Sequence, residues 1–141
     1  MKMATLDMGK SYPLTQEVID CIVGKGKIGN YAYGYLNEEG SFIVRYVGRS
    51  DTDLQERIKH GIEDMRTDPS CRYERFKFSY ANSILEAYEK ECQNYHDFGV
   101  TEGRFLCHDS APELLHISRV LRNFVTNLYI AMVLVITEFA S

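Results

Sequence analysis

The chain has no CxxC pair among its four cysteines, Cys21, Cys71, Cys92 and Cys107, and no excess of positive charge. Scattered cysteines in an acidic chain of this size read as reduced thiols. With 16 Lys+Arg against 20 Asp+Glu, the formal net charge is −4 and the pI about 5.6. That excludes a protein that coats nucleic acid through a uniformly basic face. A nucleic-acid enzyme stays open, because the local field of a cleft matters more than the sum. The four histidines show no metal-ligand spacing, and repeats and low-complexity segments are missing. Residues 1–7 lack an apolar h-region, so no signal peptide is expected. The most apolar run, 128–136, is far too short to span a bilayer. A cytoplasmic protein with no membrane contact is the expectation.

What is present fits one domain with a real core: 141 residues, 45% hydrophobic and 26% charged. A short helix is expected near 13–20, with Leu14, Val18, Ile19 and Ile22 on one side. Gly24-Lys25-Gly26-Lys27 breaks it. This basic, glycine-rich link could touch a phosphate but lacks the full phosphate-loop pattern, so it reads as a linker. Two aromatic and β-branched runs, 31–36 and 42–47, flank Asn37-Glu38-Glu39-Gly40 and predict a β-hairpin. Period-2 alternation puts Tyr31, Tyr33 and Tyr35 on one face of its first strand.

Gly48 ends the second run. Ser50 and Asp53, in capping-box spacing, then open a helix over about 51–65, with a buried stripe of Leu54, Ile58, Gly61, Ile62 and Met65. Arg57 sits at the edge of that stripe. Phe76, Phe78 and Tyr80 predict a third strand. Ser83 and Glu86 match a second capping box and open a helix to about 97. Its apolar stripe (Ile84, Tyr88, Cys92, Tyr95) contains Glu91, a carboxylate that must be paired with a cation or hold a metal if it points inward.

These parts, in this order, resemble the GIY-YIG nuclease family. That family follows a tyrosine-bearing strand with a hairpin turn, a strand ending Tyr-(Ile/Val)-Gly, a helix arginine and a later helix with a metal-binding glutamate. Here Tyr31-Ala32-Tyr33 stands for the first motif and Tyr46-Val47-Gly48 for the second. Arg49 matches the basic residue often found after the glycine, Arg57 the helix arginine, and Ala87-Tyr88-Glu89-Lys90-Glu91-Cys92 the glutamate helix with Glu91 in register. Tyr33 is taken as the first-motif tyrosine, with Tyr31 and Tyr35 as alternatives. Where members commonly place a basic or aromatic side chain one turn after the arginine, this chain has Gly61, with His60 one place earlier.

The resemblance covers about 29–98. It implies an α/β fold of the α+β type: a small, three-stranded, mainly antiparallel sheet flanked by helices. Residues 1–28 are then an N-terminal helix and linker, 29–98 the nuclease-like domain, and 99–141 an appendage packed on it. The implied activity is metal-dependent hydrolysis of DNA phosphodiester bonds. Glu91 would hold one Mg²⁺ or Mn²⁺, Arg57 would clamp the phosphate, and Tyr46 would act as general base with Tyr33 positioning the water. Gly48, Arg49 and His60 would contact the substrate phosphate. A free phenol, with a pKa near 10, is a poor base at neutral pH, so Arg57, Arg49 and the metal are expected to lower that of Tyr46.

The alternative is a catalytically weak nucleic-acid-binding module on the same fold. Across 30–98 there are 9 Lys/Arg against 13 Asp/Glu. That balance favours the module unless charges segregate, or a homodimer or partner subunit supplies DNA affinity.

Overall fold

The computed structural model describes residues 5–99. They form an α+β body around a four-stranded antiparallel sheet. Its elements are β1 (Tyr12–Pro13), α1 (Gln16–Ile22), β2 (Gly29–Leu36), β3 (Phe42–Ser50), α2 (Leu54–Thr67), β4 (Arg75–Tyr80) and α3 (Ile84–Gly99). A single 3-10 turn, Pro69–Cys71, joins α2 to β4. The strand order is β1-β4-β2-β3, so β2 lies between its hairpin partner and β4.

The expected three strands become four. The addition is β1, where Tyr12 pairs with Phe76 and Pro13 with Arg75. Two residues are too few to show alternation, and proline can sit in a sheet only at an edge, as it does here. Arg75 fixes this edge by donating from Nε to Ser11 Oγ at 2.8 Å and from Nη2 to the Ser11 carbonyl at 2.9 Å.

Cross-strand pairs sort the two faces of the sheet. One face carries Tyr31, Tyr33, Tyr46, Phe76 and Phe78, and it packs with Ile19 and Val23 of the α1 region and with Leu54 and Ile58 of α2. The other carries Ala32, Val44 and Val47, covered by Leu6, Met8 and the α3 side chains Tyr95 and Phe98. Residues ahead of β2 thus contribute to both cores. Asn30 ties β2 to α3 by donating from Nδ2 to the Ala87 carbonyl at 2.8 Å, and Lys90 ties α3 to the Asp7 carbonyl and Ser79 Oγ.

The helix starts follow their capping residues. Asp53, one turn later than Ser50, caps α2 through Glu56 N–H, while Ser50 Oγ accepts from Thr52 and Asp53 N–H and turns the chain off β3. Ser83 Oγ accepts from Glu86 N–H and opens α3 as expected.

Cys71 is disulfide-bonded, whereas Cys21 and Cys92 are free. The reading of four reduced thiols is thereby corrected, since spacing along a chain does not say which cysteines the fold brings side by side. Among the described residues no helix is long and apolar enough to cross a membrane. The expected C-terminal appendage, beyond Gly99, lies outside the described residues.

Candidate functional site

The site forms where β3 bends. The β2–β3 register pairs Tyr33 with Tyr46 but Gly34 with Val44, leaving Arg45 unopposed. This bulge changes the parity of β3. Without it, Tyr46 would share a face with Phe42 and Val44. With it, Tyr46 lies against Tyr31 and Tyr33, ring centroids 6.1 and 5.8 Å away and planes within 25°. Gly34 makes the bulge fit, because a Cβ there would run into the Ile43 carbonyl.

Tyr31 reaches over Gly48, its partner across the strands. A Cβ at Gly48 would lie 2.5 Å from the Tyr31 hydroxyl. The glycine of Tyr46-Val47-Gly48 therefore has a steric function: it opens the groove in which Tyr31 lies. Arg57, from the second turn of α2, donates from Nε to that hydroxyl at 3.3 Å. No carboxylate pairs with Arg57 among the described residues; Asp53, the candidate partner one turn back, instead caps α2 and accepts from Gly26 N–H.

Tyr33, the tyrosine taken for the first motif, goes elsewhere. It is 1% exposed, and its hydroxyl donates to the Ile58 carbonyl at 2.9 Å and accepts from Gly61 N–H at 3.0 Å. Its ring abuts Gly61, where a Cβ would collide with it. Gly61 is thus the seat of Tyr33. The tyrosine that meets Arg57 is Tyr31. Tyr35, beyond the bulge, lies under the Arg72 guanidinium at 3.5 Å. His60 is exposed on α2, with no hydrogen bond or ion pair to the cluster among the described residues.

Arg49 and Glu91 meet on the opposite face of the sheet, at the same end. Arg49 pairs across the strands with Asn30, and its Nη1 lies 3.2 Å from Glu91 Oε2 on α3, with side chains 10% and 6% exposed. Asp51 accepts from Arg49 Nε at 2.9 Å, and the guanidinium lies 5.0 Å from the Tyr88 ring centroid. Asp51 and Tyr88, which hold Arg49, escaped sequence reasoning; the signal available was the nearness of Asp51 to Arg49 in the chain.

Glu91 is close enough to bear on the phenols. Tyr46 is held above the ordinary tyrosine value by burial first; Arg57 pulls it down and Glu91 pushes it up. Tyr31 is pushed up by burial and by Tyr46, against Arg57. Arg57 does pull Tyr46 down as expected, and burial outweighs that pull: desolvation exceeds the attraction of one guanidinium.

The donor set fits a hard cation in type, since Mg²⁺ needs only one or two carboxylates beside its waters. It does not fit in resting geometry, because the Glu91 carboxylate already accepts from a guanidinium. Among the described residues no group of three or more His, Cys, Asp or Glu side chains gathers as a metal site. What the arrangement can do as it stands is present the exposed Arg57, braced by the buried Tyr31 hydroxyl, and the half-buried Tyr46 to an anion, with Arg49 on the other face of the sheet. No family model, curated protein or solved structure matches this chain.

Proposed function

We propose that this end of the sheet hydrolyses phosphodiester bonds of DNA, in the manner of the GIY-YIG nucleases that the motifs resemble. The observation that carries the reading is the approach of Arg57 Nε to the Tyr31 hydroxyl with the half-buried Tyr46 stacked beside it. Packing accounts for the two rings, which belong to the core between the sheet and α2; it does not account for a guanidinium with no carboxylate partner among the described residues donating to the Tyr31 hydroxyl beside Gly48.

In this reading Arg57 grips two phosphoryl oxygens through its planar fork. Tyr46, as phenolate, takes a proton from water as the water oxygen bonds to phosphorus; the bond to the leaving oxygen breaks, and that oxygen is protonated by solvent. Tyr31 holds Arg57 and Tyr46 in register. The resemblance implies a divalent ion, Mg²⁺ or Mn²⁺, on Glu91, whose chemistry would be charge neutralisation on phosphoryl oxygens; with Glu91 paired to Arg49 across the sheet from Arg57, none of the roles above is routed through it.

A second reading has its own support. The Arg49–Glu91 pair, which occupies the carboxylate a metal would need, supports a catalytically weak nucleic-acid-binding module on the same fold. DNA affinity supplied by a homodimer or partner subunit belongs to either reading. A cytoplasmic location loses one support, because disulfides such as that of Cys71 persist in oxidising surroundings.

Plasmid and branched DNA, incubated with Mg²⁺ or Mn²⁺ with and without chelator, separate the two. The parent should cut, while folded Tyr46→Phe and Arg57→Ala should lose about 10²-fold or more in rate, the scale on which removing one transition-state donor is felt. Binding without cutting in every metal would establish the second reading, and cutting unaltered in both variants would remove the site from either.

A further inference from the structure

The loop between α1 and β2 is unused by the site above. Lys25 and Lys27 flank Gly26 there, both exposed, and neither ammonium pairs with a carboxylate among the described residues. The loop is nonetheless pinned. Lys27 C=O accepts from Leu54 N–H at 2.8 Å, Gly26 N–H donates to Asp53 Oδ1 at 3.2 Å, and Gly24 N–H donates to the Tyr80 hydroxyl at 2.9 Å. A Cβ built on Gly24 would lie 3.5 Å from the Tyr80 oxygen and 3.6 Å from Lys27 Cγ, so both side chains border Gly24.

Tyr80 is 50% exposed. Its hydroxyl is satisfied by the loop, and its ring meets Phe78 edge-on, with centroids 5.5 Å apart and planes at 69°. A rigid aromatic whose polar end is already bonded offers its surroundings a ring surface and little else. Beside it stand Lys25 and Lys27, neither in a salt bridge among the described residues, with Asp53 on the Gly26 N–H between them.

Gly29 pairs with Ser50 of β3 on one side and Tyr80 of β4 on the other. Tyr80, the loop and the Gly48–Ser50 end of β3 therefore share one end of the sheet. Strands lie about 4.8 Å apart, so the two ends of this line are roughly 10 Å from each other, with the first turns of α2 and Arg57 alongside. A protein that is acidic overall has here a local row of unpaired cations ending in an exposed ring.

We propose that this row binds a single-stranded nucleic-acid flank, with a base stacked on Tyr80 and phosphates against Lys25 and Lys27. The proposal rests on the nuclease reading only in making that strand the continuation of the one gripped by Arg57. It narrows the substrate to DNA with an unpaired segment beside the scissile bond, because an exposed ring can stack only on a base that is out of its pair.

The test is fluorescence anisotropy of the full chain with a labelled single-stranded oligonucleotide and with its duplex, in chelator so that no metal-dependent cutting intervenes. The single strand should bind more tightly than the duplex. Tyr80→Ala should weaken it about tenfold, whereas Tyr80→Phe, which keeps the ring, should hold affinity within about twofold. Lys25→Ala with Lys27→Ala should weaken binding and reduce the log–log salt slope by about 1.4, for two phosphates at roughly 0.7 each.

Equal binding by Tyr80→Ala and the parent overturns the proposal, as does preference for the duplex. A chain that binds neither oligonucleotide, but whose self-association is abolished by Ile84→Asp, assigns the surface to a protein contact through Ile84 and Leu85 (52% and 60% exposed) and equally overturns it. The two readings fail separately. Tyr80-dependent binding with no cutting in any metal removes the nuclease and leaves this site; cutting with Tyr80→Ala indistinguishable from the parent in binding does the reverse.

Discussion

At the scale of single residues, two tyrosines one strand-repeat apart have opposite fates. Tyr31 and Tyr33 share a face and have ring centroids 5.0 Å apart, so alternation could not choose between them. The choice is made by two glycines far along the chain: Gly61 seats the Tyr33 ring against α2, and Gly48, with no side chain, leaves room for the Tyr31 ring across the strands. Tyr33→Phe should therefore cost about 0.5–1.5 kcal/mol, the net worth of a buried hydrogen bond to α2 backbone groups that keep their own helical partners, while cutting per folded molecule persists. Tyr31→Phe should cost about 1 kcal/mol or less yet lower cutting tenfold or more, because Arg57 loses its anchor. Urea titration and single-turnover cleavage read the two effects independently, and a stable, active Tyr31→Phe would remove that residue from the site.

At the scale of elements, most of the body was legible before the fold was known. The hairpin, α2, β4 and α3 follow from alternation, the 3.6-residue stripe and two caps, all local signals. What stayed hidden was non-local. β1 exists only because β4 offers it an edge, and the bulge at Arg45 is visible only when β2 is laid beside β3. The site depends on that bulge for the aim of Tyr46. Gly34→Ala places a methyl on the Ile43 carbonyl, which backbone cannot move aside cheaply. It should lower stability by about 1–3 kcal/mol and abolish Tyr46-dependent cutting together, and a variant active at parental rate would show that Tyr46 is aimed by something else.

The pair between β3 and α3 is also an element-scale device. The sequence required a partner for Glu91 and could not say whether that partner was a metal or an arginine; in the structure, Arg49 takes Oε2. Arg49→Met removes that counter-charge from a carboxylate 6% exposed and should cost roughly 3 kcal/mol. Mn²⁺ should then restore stability by mass action, more than it does for the parent, and Arg49→Met with Glu91→Gln should lose the response. Thermal shift across a Mn²⁺ series measures this without substrate, and equal shifts in parent and Arg49→Met would separate Glu91 from metal altogether.

At the scale of the whole molecule, the dominant electrostatic feature is a set of buried phenols. Tyr31, Tyr33, Tyr46 and Tyr73 are all held above the ordinary tyrosine value, and burial is the first cause for each. A folded pKa above the unfolded one means that the fold prefers the neutral phenol. The stability this contributes is whole below about pH 10 and is lost as pH rises above it, by about 1.4 kcal/mol per pH unit for each phenol that titrates late. Denaturation midpoints should be level from pH 7 to 9 and fall steeply beyond 10. The proposed chemistry asks the reverse of Tyr46, because a Tyr46 base is competent only as phenolate. Cutting should rise with a log slope near 1 between pH 7 and 9 and collapse where the fold does, so that its alkaline limit is unfolding and not an acid group. The slope should vanish in the residual activity of Tyr46→Phe. If that variant keeps the same rise, hydroxide or another base drives the attack, and Tyr46 is part of the sheet alone.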